Sequence, residues 1–140
     1  MNILITGSTD GIGKLVGIKF AEQGHEVYLH GRNSEKLATV VSEISEQTKN
    51  KNVRGFVADF SDLDAVKQMA HEIKQDRSRL NVLINNAGVY NSSKSQNKDG
   101  LDMRFTVNYL APFVLTNELI SLLKQTEAPR VINLQRFAGL

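Results

Sequence analysis

The stretch Thr6–Gly13, Thr-Gly-Ser-Thr-Asp-Gly-Ile-Gly, lies between an apolar run, Ile3 to Ile5, and a segment with helical spacing that begins near Ile12. A strand that ends in a glycine-rich turn and continues directly into a helix directs several backbone N–H groups into one cleft. The helix dipole favours an anion there, and a pyrophosphate is the usual occupant. The stretch therefore predicts a dinucleotide-binding turn, with these candidate cofactor-binding residues: Gly7, Thr9, Asp10, Gly11, Ile12 and Gly13.

The three glycines of this stretch are expected to have separate roles. Gly7 permits the sharp turn, Gly11 lets a phosphate approach the backbone, and Gly13 lets the new helix pack closely on the strand. The spacing does not fit a Walker-type phosphate loop, because no Gly-Lys-Ser/Thr ending follows. A glycine cluster alone is a weak signal, and an ordinary strand-to-helix loop of another α/β protein is the alternative.

Composition excludes several classes of protein and site. The 140 residues are the size of one domain, 41% of them are hydrophobic, and no apolar run is long enough for a membrane span. The chain has no cysteine for a disulfide or thiolate ligand, and its three scattered histidines, His25, His30 and His71, predict no metal site. The net charge of +2 does not indicate nucleic-acid binding. Because the first strand begins at Asn2 without a signal sequence before it, a cytoplasmic location is expected.

Apolar segments with strand character alternate with helical patterns along the chain. Strands are predicted at residues 2–6, 26–30, 53–58, 80–84 and 130–134. Helices are predicted to begin near Ile12, at Asn33 or Ser34, at Ser61 in a capping box with Asp64, and at about Gly100, the last running to Lys124. The apolar face expected for the first helix is Ile12, Leu15, Val16 and Phe20.

This alternation predicts the fold class. Strands and helices at such spacing favour an α/β, Rossmann-like parallel sheet with helices on both faces and right-handed crossovers. In such a sheet the ligand crevice lies at the carboxyl ends of the strands, where the strand order reverses beside the first strand. The glycine-rich turn is expected at that place. A single dinucleotide-binding domain over residues 1–140 is predicted, with no internal repeat or second domain boundary.

Two motifs resemble the short-chain dehydrogenase/reductase family. Thr6, Gly7, Gly11 and Gly13 match its pattern Thr-Gly-x-x-x-Gly-x-Gly, and its Asn-Asn-Ala-Gly signature stands at residues 85–88. The segments 99–101, 107–109 and 113–117 look most like the retinol-dehydrogenase-like branch. The resemblance covers essentially all 140 residues. It implies a nicotinamide cofactor and an oxidoreductase acting on a carbonyl or alcohol substrate.

The end of the second strand indicates which nicotinamide cofactor is bound. NAD-dependent members of the family place an acidic side chain at the position that Gly31 occupies here. A carboxylate would repel a 2′-phosphate, whereas Gly31 leaves room for one and Arg32 can form a charge-assisted hydrogen bond with it. NADP is therefore predicted over NAD, with Arg32 and Asn33 among the cofactor-binding residues. A solvated surface arginine is the alternative for Arg32.

The resemblance also implies roles at the ends of the third and fourth strands. Asp59 would accept a hydrogen bond from the adenine amino group, with the backbone of Phe60 beside it. The nicotinamide ribose would be lined by Asn85, Ala87 and Gly88. The alternatives are structural: Asp59 as the cap of the next helix, and Asn85 as a tie between neighbouring strands.

Asn108 is the candidate catalytic residue. Pro112 lies four residues further on in the same predicted helix, and it has no N–H for the carbonyl of Asn108, so the helix should bend there. In the family's proton relay, the carbonyl of the equivalent asparagine holds a water that contacts the catalytic lysine. Without the resemblance, the pair predicts only a helix kink.

The other catalytic residues of the family are not matched. The family's fifth strand ends in an Asn-x-Ser-Ser-like sequence whose second serine assists catalysis, and Arg136 occupies that place here. The Tyr-x-x-x-Lys of the following helix would lie beyond Leu140, so the expected domain is truncated after the fifth strand and lacks the C-terminal catalytic and substrate part. Tyr90 and Lys94 have the same spacing, but the segment between them is a poor helix context and the match is interpreted as chance.

Three functions fit this pattern. The first is the NADP(H)-binding portion of an oxidoreductase, which takes a small-molecule substrate only when completed. The second is a catalytically inactive NADP(H)-binding sensor or partner protein. The third is a non-binding fragment held folded by association. An apolar flank exposed at the fifth strand and the last helix predicts a homo-oligomer.

Overall fold

The chain forms a parallel sheet of five strands. This computed structural model describes residues 1–134, and its strands are β1 (Asn2–Ile5), β2 (Glu26–Gly31), β3 (Val53–Val57), β4 (Val82–Asn85) and β5 (Arg130–Asn133). Their order is β3-β2-β1-β4-β5, and each neighbouring pair is parallel. The order reverses between β1 and β4, which places the expected ligand crevice at the carboxyl end of β1.

Helices cover both faces of this sheet. They are α1 (Gly11–Glu22), α2 (Ser34–Thr48), α3 (Leu63–Asp76), α4 (Met103–Phe105), a π-helix (Thr106–Leu110) and α5 (Ala111–Leu123). Successive side chains of a strand point to opposite faces. Accordingly, Leu4 packs in the cluster with α3 and α5, while Ile3 and Ile5 pack in the cluster with α1 and α2. The predicted Rossmann-like architecture is confirmed.

The buried face of α1 differs from the predicted one. Ile12 and Leu15 are 55% and 63% exposed, and the buried positions are Gly13, Gly17 and Ala21. Small residues at this spacing let the helix backbone approach the sheet closely. Apolar periodicity does not detect such a face because glycine carries no side chain to count, so the prediction for Ile12 and Leu15 was wrong.

The N-terminus of α3 is capped by a different residue from the one predicted. The carboxylate of Asp62 accepts hydrogen bonds from the N–H groups of Asp64 and Ala65, at 3.0 and 3.3 Å. Ser61 instead donates its N–H and its hydroxyl to Oδ1 of Asp59, at 2.9 and 2.8 Å. The capping box of Ser61 and Asp64 is therefore wrong, and so is the alternative that made Asp59 the cap.

The last long helix begins later than predicted and is irregular. It starts at Met103, because the carboxylate of Asp102 accepts the N–H of Phe105 at 2.9 Å and caps the helix there, while Gly100, with a positive φ of 80°, lies in the preceding turn. In the π-helix the N–H of Ala111 donates to the carbonyl of Thr106, five residues earlier. Such insertions and prolines are the common causes of helix irregularity. The π-helical segment ends at Leu110, two residues before Pro112, and the kink predicted at Pro112 stays a prediction.

An apolar surface is exposed on β5 and α5. Val131 and Ile132 on β5 are 39% and 42% exposed, Leu134 directly after it is 43% exposed, and Phe113 on α5 is 67% exposed. The predicted exposure of this flank is confirmed, while the homo-oligomer inferred from it stays a prediction. Among the helices that the structure describes, none has the length and apolar character needed to span a bilayer.

Candidate functional site

The glycine-rich turn lies at the carboxyl end of β1 and has the backbone that its glycines require. Gly7 and Gly11 have positive φ values of 61° and 56°, a region that side chains disfavour. A Cβ on Gly7 would lie 2.7 Å from Cα of Ala87, whereas one on Gly11 would meet no atom within 4 Å. A Cβ on Gly13 would overlap the carbonyl oxygen of Gly7. Gly7 and Gly13 are therefore needed for packing, and Gly11 lies on the open side.

Hydrogen bonds join this turn to the Asn-Asn-Ala-Gly segment after β4. The buried hydroxyl of Thr6 accepts the N–H groups of Asn86 and Ala87, each at 3.0 Å. The side-chain amide of Asn86 donates to the carbonyls of Thr6 and Gly7, at 3.2 and 2.9 Å. The two sequence motifs thus form one bonded unit. The sequence predicted both motifs but not Asn86 as the residue that links them.

His30, near the end of β2, holds the turn from the other side. Its Nδ1 accepts the N–H of Gly7 at 2.9 Å, and its Nε2 lies 2.8 Å from the carbonyl oxygen of Ala58. Because the N–H can only donate and the carbonyl can only accept, the ring is the neutral Nε2–H tautomer. Its stacking on Phe60, with centroids 4.1 Å apart, connects the turn to the segment that follows β3.

The electrostatic state of His30 follows from its burial. The residue is only 4% exposed. Desolvation lowers the pKa of His30 to about 4, against smaller opposing effects of the Ala58 carbonyl and the Asp59 carboxylate. The ring is neutral near pH 7 and can serve as an acceptor. The sequence did not predict a role for His30 at the site, although a histidine inside an apolar strand was a signal for a buried hydrogen bond.

Charged side chains flank the open side of the turn. Arg32 follows the buried Gly31 and is exposed. Asn33 accepts the N–H of Lys36 at 2.9 Å and so caps α2, as one of the two residues predicted for that cap. The ammonium of Lys36 lies 2.9 Å from Oδ2 of Asp10 and joins α2 to the turn. Lys36 was not predicted, because the sequence does not show that it reaches Asp10.

The candidate adenine residues lie at the carboxyl end of β3. Asp59 is exposed and its Oδ1 is bonded to Ser61. Phe60 is buried against His30. The carboxylate of Asp59 is therefore at the surface of the same sheet edge as the glycine-rich turn.

Asn85 ties two strands together. Its side-chain amide donates to Oδ1 of Asn133 at 2.8 Å and to the hydroxyl of Thr116 at 3.2 Å, and the residue is 6% exposed. These bonds link β4 to β5 and α5, which supports the strand-tying role weighed for it. Oδ1 of Asn85 is buried with no hydrogen-bond partner among the described residues.

Asn108 is held against the segment that follows β4. Its Oδ1 accepts the N–H of Val89 at 2.8 Å, and its Nδ2 donates to the carbonyl of Val89 at 2.9 Å. A Cβ on Gly88 would lie 3.3 Å from Oδ1 of Asn108. The two bonds fix the π-helix beside Gly88.

A cavity of about 820 Å³ opens between this segment, α5 and β5. It brings together four of the predicted site residues: Asn85, Ala87, Gly88 and Asn108. The glycine-rich turn, Arg32 and Asp59 lie outside this cavity, further along the carboxyl edge of the sheet. Tyr90 and Lys94 are exposed and not helical, which confirms the chance match, and Arg136 lies outside the described residues.

The sequence profile described as short chain dehydrogenase matches residues 1–140. The chain belongs to the short-chain dehydrogenase family. Among its family relatives, mouse retinol dehydrogenase 13 is 35% identical over 136 residues, which cover 97% of this chain and 41% of the relative. Human polyprenol dehydrogenase is 37% identical over 126 residues, which cover 90% of this chain and 38% of the relative. The resemblance to the retinol-dehydrogenase-like branch is confirmed.

Solved short-chain dehydrogenases share the fold. An Escherichia coli CFT073 protein described as a short chain dehydrogenase and complexed with NADPH has 32% identity and a TM-score of 0.81, covering 94% of this chain and 56% of its own. A metagenomic short-chain oxidoreductase in complex with NADP has 27% identity and a TM-score of 0.83, with coverages of 99% and 63%. The chain thus spans less than half of the curated relatives named above and under two thirds of these structures.

Proposed function

We propose that this chain is the NADP(H)-binding portion of a short-chain dehydrogenase/reductase-type oxidoreductase that acts on a carbonyl or alcohol substrate. On this proposal residues 1–140 are a single dinucleotide-binding domain. The observation that carries it is the glycine-rich turn at the switch point of the sheet, bonded to the Asn-Asn-Ala-Gly segment through Thr6 and Asn86. Two solved relatives are complexes with NADPH and NADP.

The N-terminus of α1 fits a pyrophosphate. Asp10 precedes the helix in an extended conformation and makes no capping hydrogen bond with its side chain. The first N–H groups of a helix have no intrahelical acceptor, so those of Gly11 and Ile12 are suited to phosphate oxygens. The open side of Gly11, where a Cβ would meet nothing within 4 Å, lets a phosphate come close.

The remaining cofactor residues lie along the same carboxyl edge. Asp59 is exposed there for the adenine amino group, while Ala87 and Gly88 border the cavity where the nicotinamide ribose would lie. When bound, the nicotinamide supplies the hydride that a carbonyl substrate receives. Asn108 borders the same cavity. Its proposed role is to hold a water of the proton relay through its backbone carbonyl oxygen.

The end of β2 favours NADPH over NADH. Gly31 offers no carboxylate to repel a 2′-phosphate, and the exposed guanidinium of Arg32 can bind one. Lys36 adds a second cation, held beside the turn by Asp10. A charge-assisted hydrogen bond contributes about 1.5–3 kcal/mol, which is enough to decide between two cofactors that differ by one phosphate.

Arg32→Ala is expected to weaken NADPH binding by about 10- to 100-fold and NADH binding by less than about twofold. The reason is that NADH has no 2′-phosphate for the guanidinium. Fluorescence titration of each cofactor measures the affinities. Arg79→Ala serves as a matched control, because Arg79 is an exposed arginine before β4, at the opposite edge of the sheet. Equal losses for both cofactors would contradict the assignment of Arg32.

A catalytically inactive NADP(H)-binding protein is the second candidate. One sequence observation favours it: Arg136 stands where the family has its assisting serine. Both candidates bind the cofactor and differ in turnover. Because the oxidoreductase portion takes a substrate only when completed, NADPH oxidation with a panel of carbonyl compounds is measured on a chain extended through the coding sequence downstream of Leu140. Turnover by the extended chain supports the oxidoreductase, and saturable binding without turnover supports the inactive protein.

A further inference from the structure

We propose that Thr9 is a specificity-determining residue of this dinucleotide site, because its methyl group occupies the space that a side chain at position 31 would need. The inference rests on the proposed function. Thr9 disfavours a side chain at position 31, and so keeps that position free of the carboxylate that would favour NADH and repel the 2′-phosphate of NADPH.

The space beside Gly31 is already filled. A Cβ on Gly31 would lie 2.5 Å from Cγ2 of Thr9 and 3.6 Å from both its Cβ and its Oγ1. Carbon atoms in contact are separated by about 3.5–4.0 Å, so the methyl group is the one atom that must move. The methyl branch of Thr9 therefore selects against every side chain at this position, whatever its charge.

Neither backbone can withdraw to make room. The N–H of Ser8 donates to the carbonyl of His30 at 2.9 Å, and the N–H of His30 donates to the hydroxyl of Ser8 at 2.8 Å. On the other side, the N–H of Ala58 donates to the carbonyl of Gly31 at 3.2 Å. Thr9 and Gly31 are the next residues along these two bonded segments, so their separation is fixed.

Rotation of the Thr9 side chain is the remaining way to clear the space. Threonine carries two heavy atoms on Cβ and has three staggered positions, so only one rotamer turns a hydrogen toward Gly31. A residue at position 9 with no side-chain atom beyond Cβ leaves the space beside Gly31 open, because it has no branch to rotate into it. Alanine at position 9 would place only the Cβ near a new side chain, at the ordinary contact distance of 3.6 Å.

The consequence for the cofactor concerns a carboxylate at position 31. Such a group would accept hydrogen bonds from the ribose hydroxyls of NADH and repel the 2′-phosphate of NADPH. With Thr9 in place the carboxylate can take up that position only if Thr9 turns to the one rotamer that clears the space or if the turn that holds the pyrophosphate moves. The two residues therefore act as one unit, and substitutions at them should be strongly non-additive.

A double-mutant cycle tests this coupling. The affinities for NADPH and NADH are measured by fluorescence titration for the wild type, Gly31→Asp, Thr9→Ala and the double variant. Gly31→Asp alone is expected to weaken the binding of both cofactors by about tenfold or more, because Thr9 must leave its rotamer or the turn must move to admit the new side chain. Thr9→Ala combined with Gly31→Asp is expected to restore NADH affinity by at least about tenfold over Gly31→Asp alone while NADPH binding stays weak.

Thr9→Val is the matched control. Valine keeps both branches on Cβ and lacks only the hydroxyl, so Thr9→Val combined with Gly31→Asp should not recover NADH binding. Recovery of NADH binding in the double variant that carries valine at position 9, or additive effects across the cycle, would overturn the role of Thr9. Neither result would contradict the proposed binding of NADPH. A wild-type chain that binds neither cofactor would overturn the proposed function and this inference with it.

An unfolding cycle measures the same contact without cofactor. Gly31→Ala is expected to lower the melting temperature in the wild type and in Thr9→Val, and to have a smaller effect in Thr9→Ala. Equal shifts in all three backgrounds would overturn the steric contact itself.

Discussion

Gly13→Ala is expected to lower the free energy of unfolding by about 2–4 kcal/mol and to abolish dinucleotide binding. The new Cβ would overlap the carbonyl oxygen of Gly7 and lie 2.6 Å from Nδ2 of Asn86. Both atoms belong to the hydrogen bond that joins the glycine-rich turn to the segment after β4. The backbone of α1 must therefore move or that bond must break. Urea denaturation and NADPH titration measure the two effects.

Gly17→Ala is the matched control, because Gly17 is buried on the same face of the same helix. Its new Cβ would lie 2.9 Å from Cδ2 of Leu29, the end of a side chain that can rotate. Replacing glycine by alanine inside a helix gains about 1 kcal/mol, which offsets that adjustment. Gly17→Ala is expected to stay within about 1 kcal/mol of the wild type. Equal stability of the Gly13 and Gly17 variants would contradict the close contact at the turn.

His30→Leu is expected to lower the free energy of unfolding by about 2–6 kcal/mol. Leucine fills the space of the ring but leaves the N–H of Gly7 and the carbonyl of Ala58 without partners. Each buried backbone group left unpaired costs about 1–3 kcal/mol. His71→Leu is the control, because His71 is exposed on α3, and it should change stability by less than about 0.5 kcal/mol. A similar small change at His30 would show that the ring does not hold the turn.

The pH dependence of stability separates this role of His30 from simple packing. The native pKa of His30 is about 4 and that of an unfolded histidine is about 6.5, so the unfolded chain binds more protons between these values. The contribution of neutral His30 to the free energy of unfolding is fully present above about pH 6.5. It is lost as the pH falls towards 4, and about 2 kcal/mol of it is lost at pH 5. The difference between the wild type and His30→Leu should shrink by that amount from pH 7 to pH 5. A difference that does not depend on pH would contradict a neutral buried His30.

The fold was predictable because it depends on local signals that agree. Apolar strands alternate with capped helices, and two glycine-containing motifs mark the ends of β1 and β4. The cap of α2 at Asn33 was predicted for the same reason, since an asparagine before a helical pattern accepts an N–H of the first turn. The cap of α3 was missed because Ser61 and Asp62 are both suitable caps, and only the competing bond of Ser61 to Asp59 decides between them.

The parts of the site that were not predicted depend on contacts between distant segments. Gly17 on the buried face of α1 has no apolar side chain to reveal it, and the contact of Thr9 with Gly31 depends on the pairing of Ser8 with His30. The link from Lys36 to Asp10 depends on how α2 lies beside the turn. The roles of Asp59 and Asn108 toward a cofactor stay predictions.

Titration of the isotope-labelled protein with NADP⁺, followed by two-dimensional 1H–15N NMR, tests most directly whether the glycine-rich turn holds the cofactor. Saturable shifts are expected first at the amides of Gly7, Gly11, Ile12 and Arg32, which lie on the turn and beside it. The amide of Gly24, beyond the other end of α1, should not shift. NAD⁺ should give the same pattern at the turn with weaker affinity and a smaller change at Arg32. Saturation of the protein with NADP⁺ without shifts at Gly11 and Ile12 would contradict the assignment of this turn as the dinucleotide site.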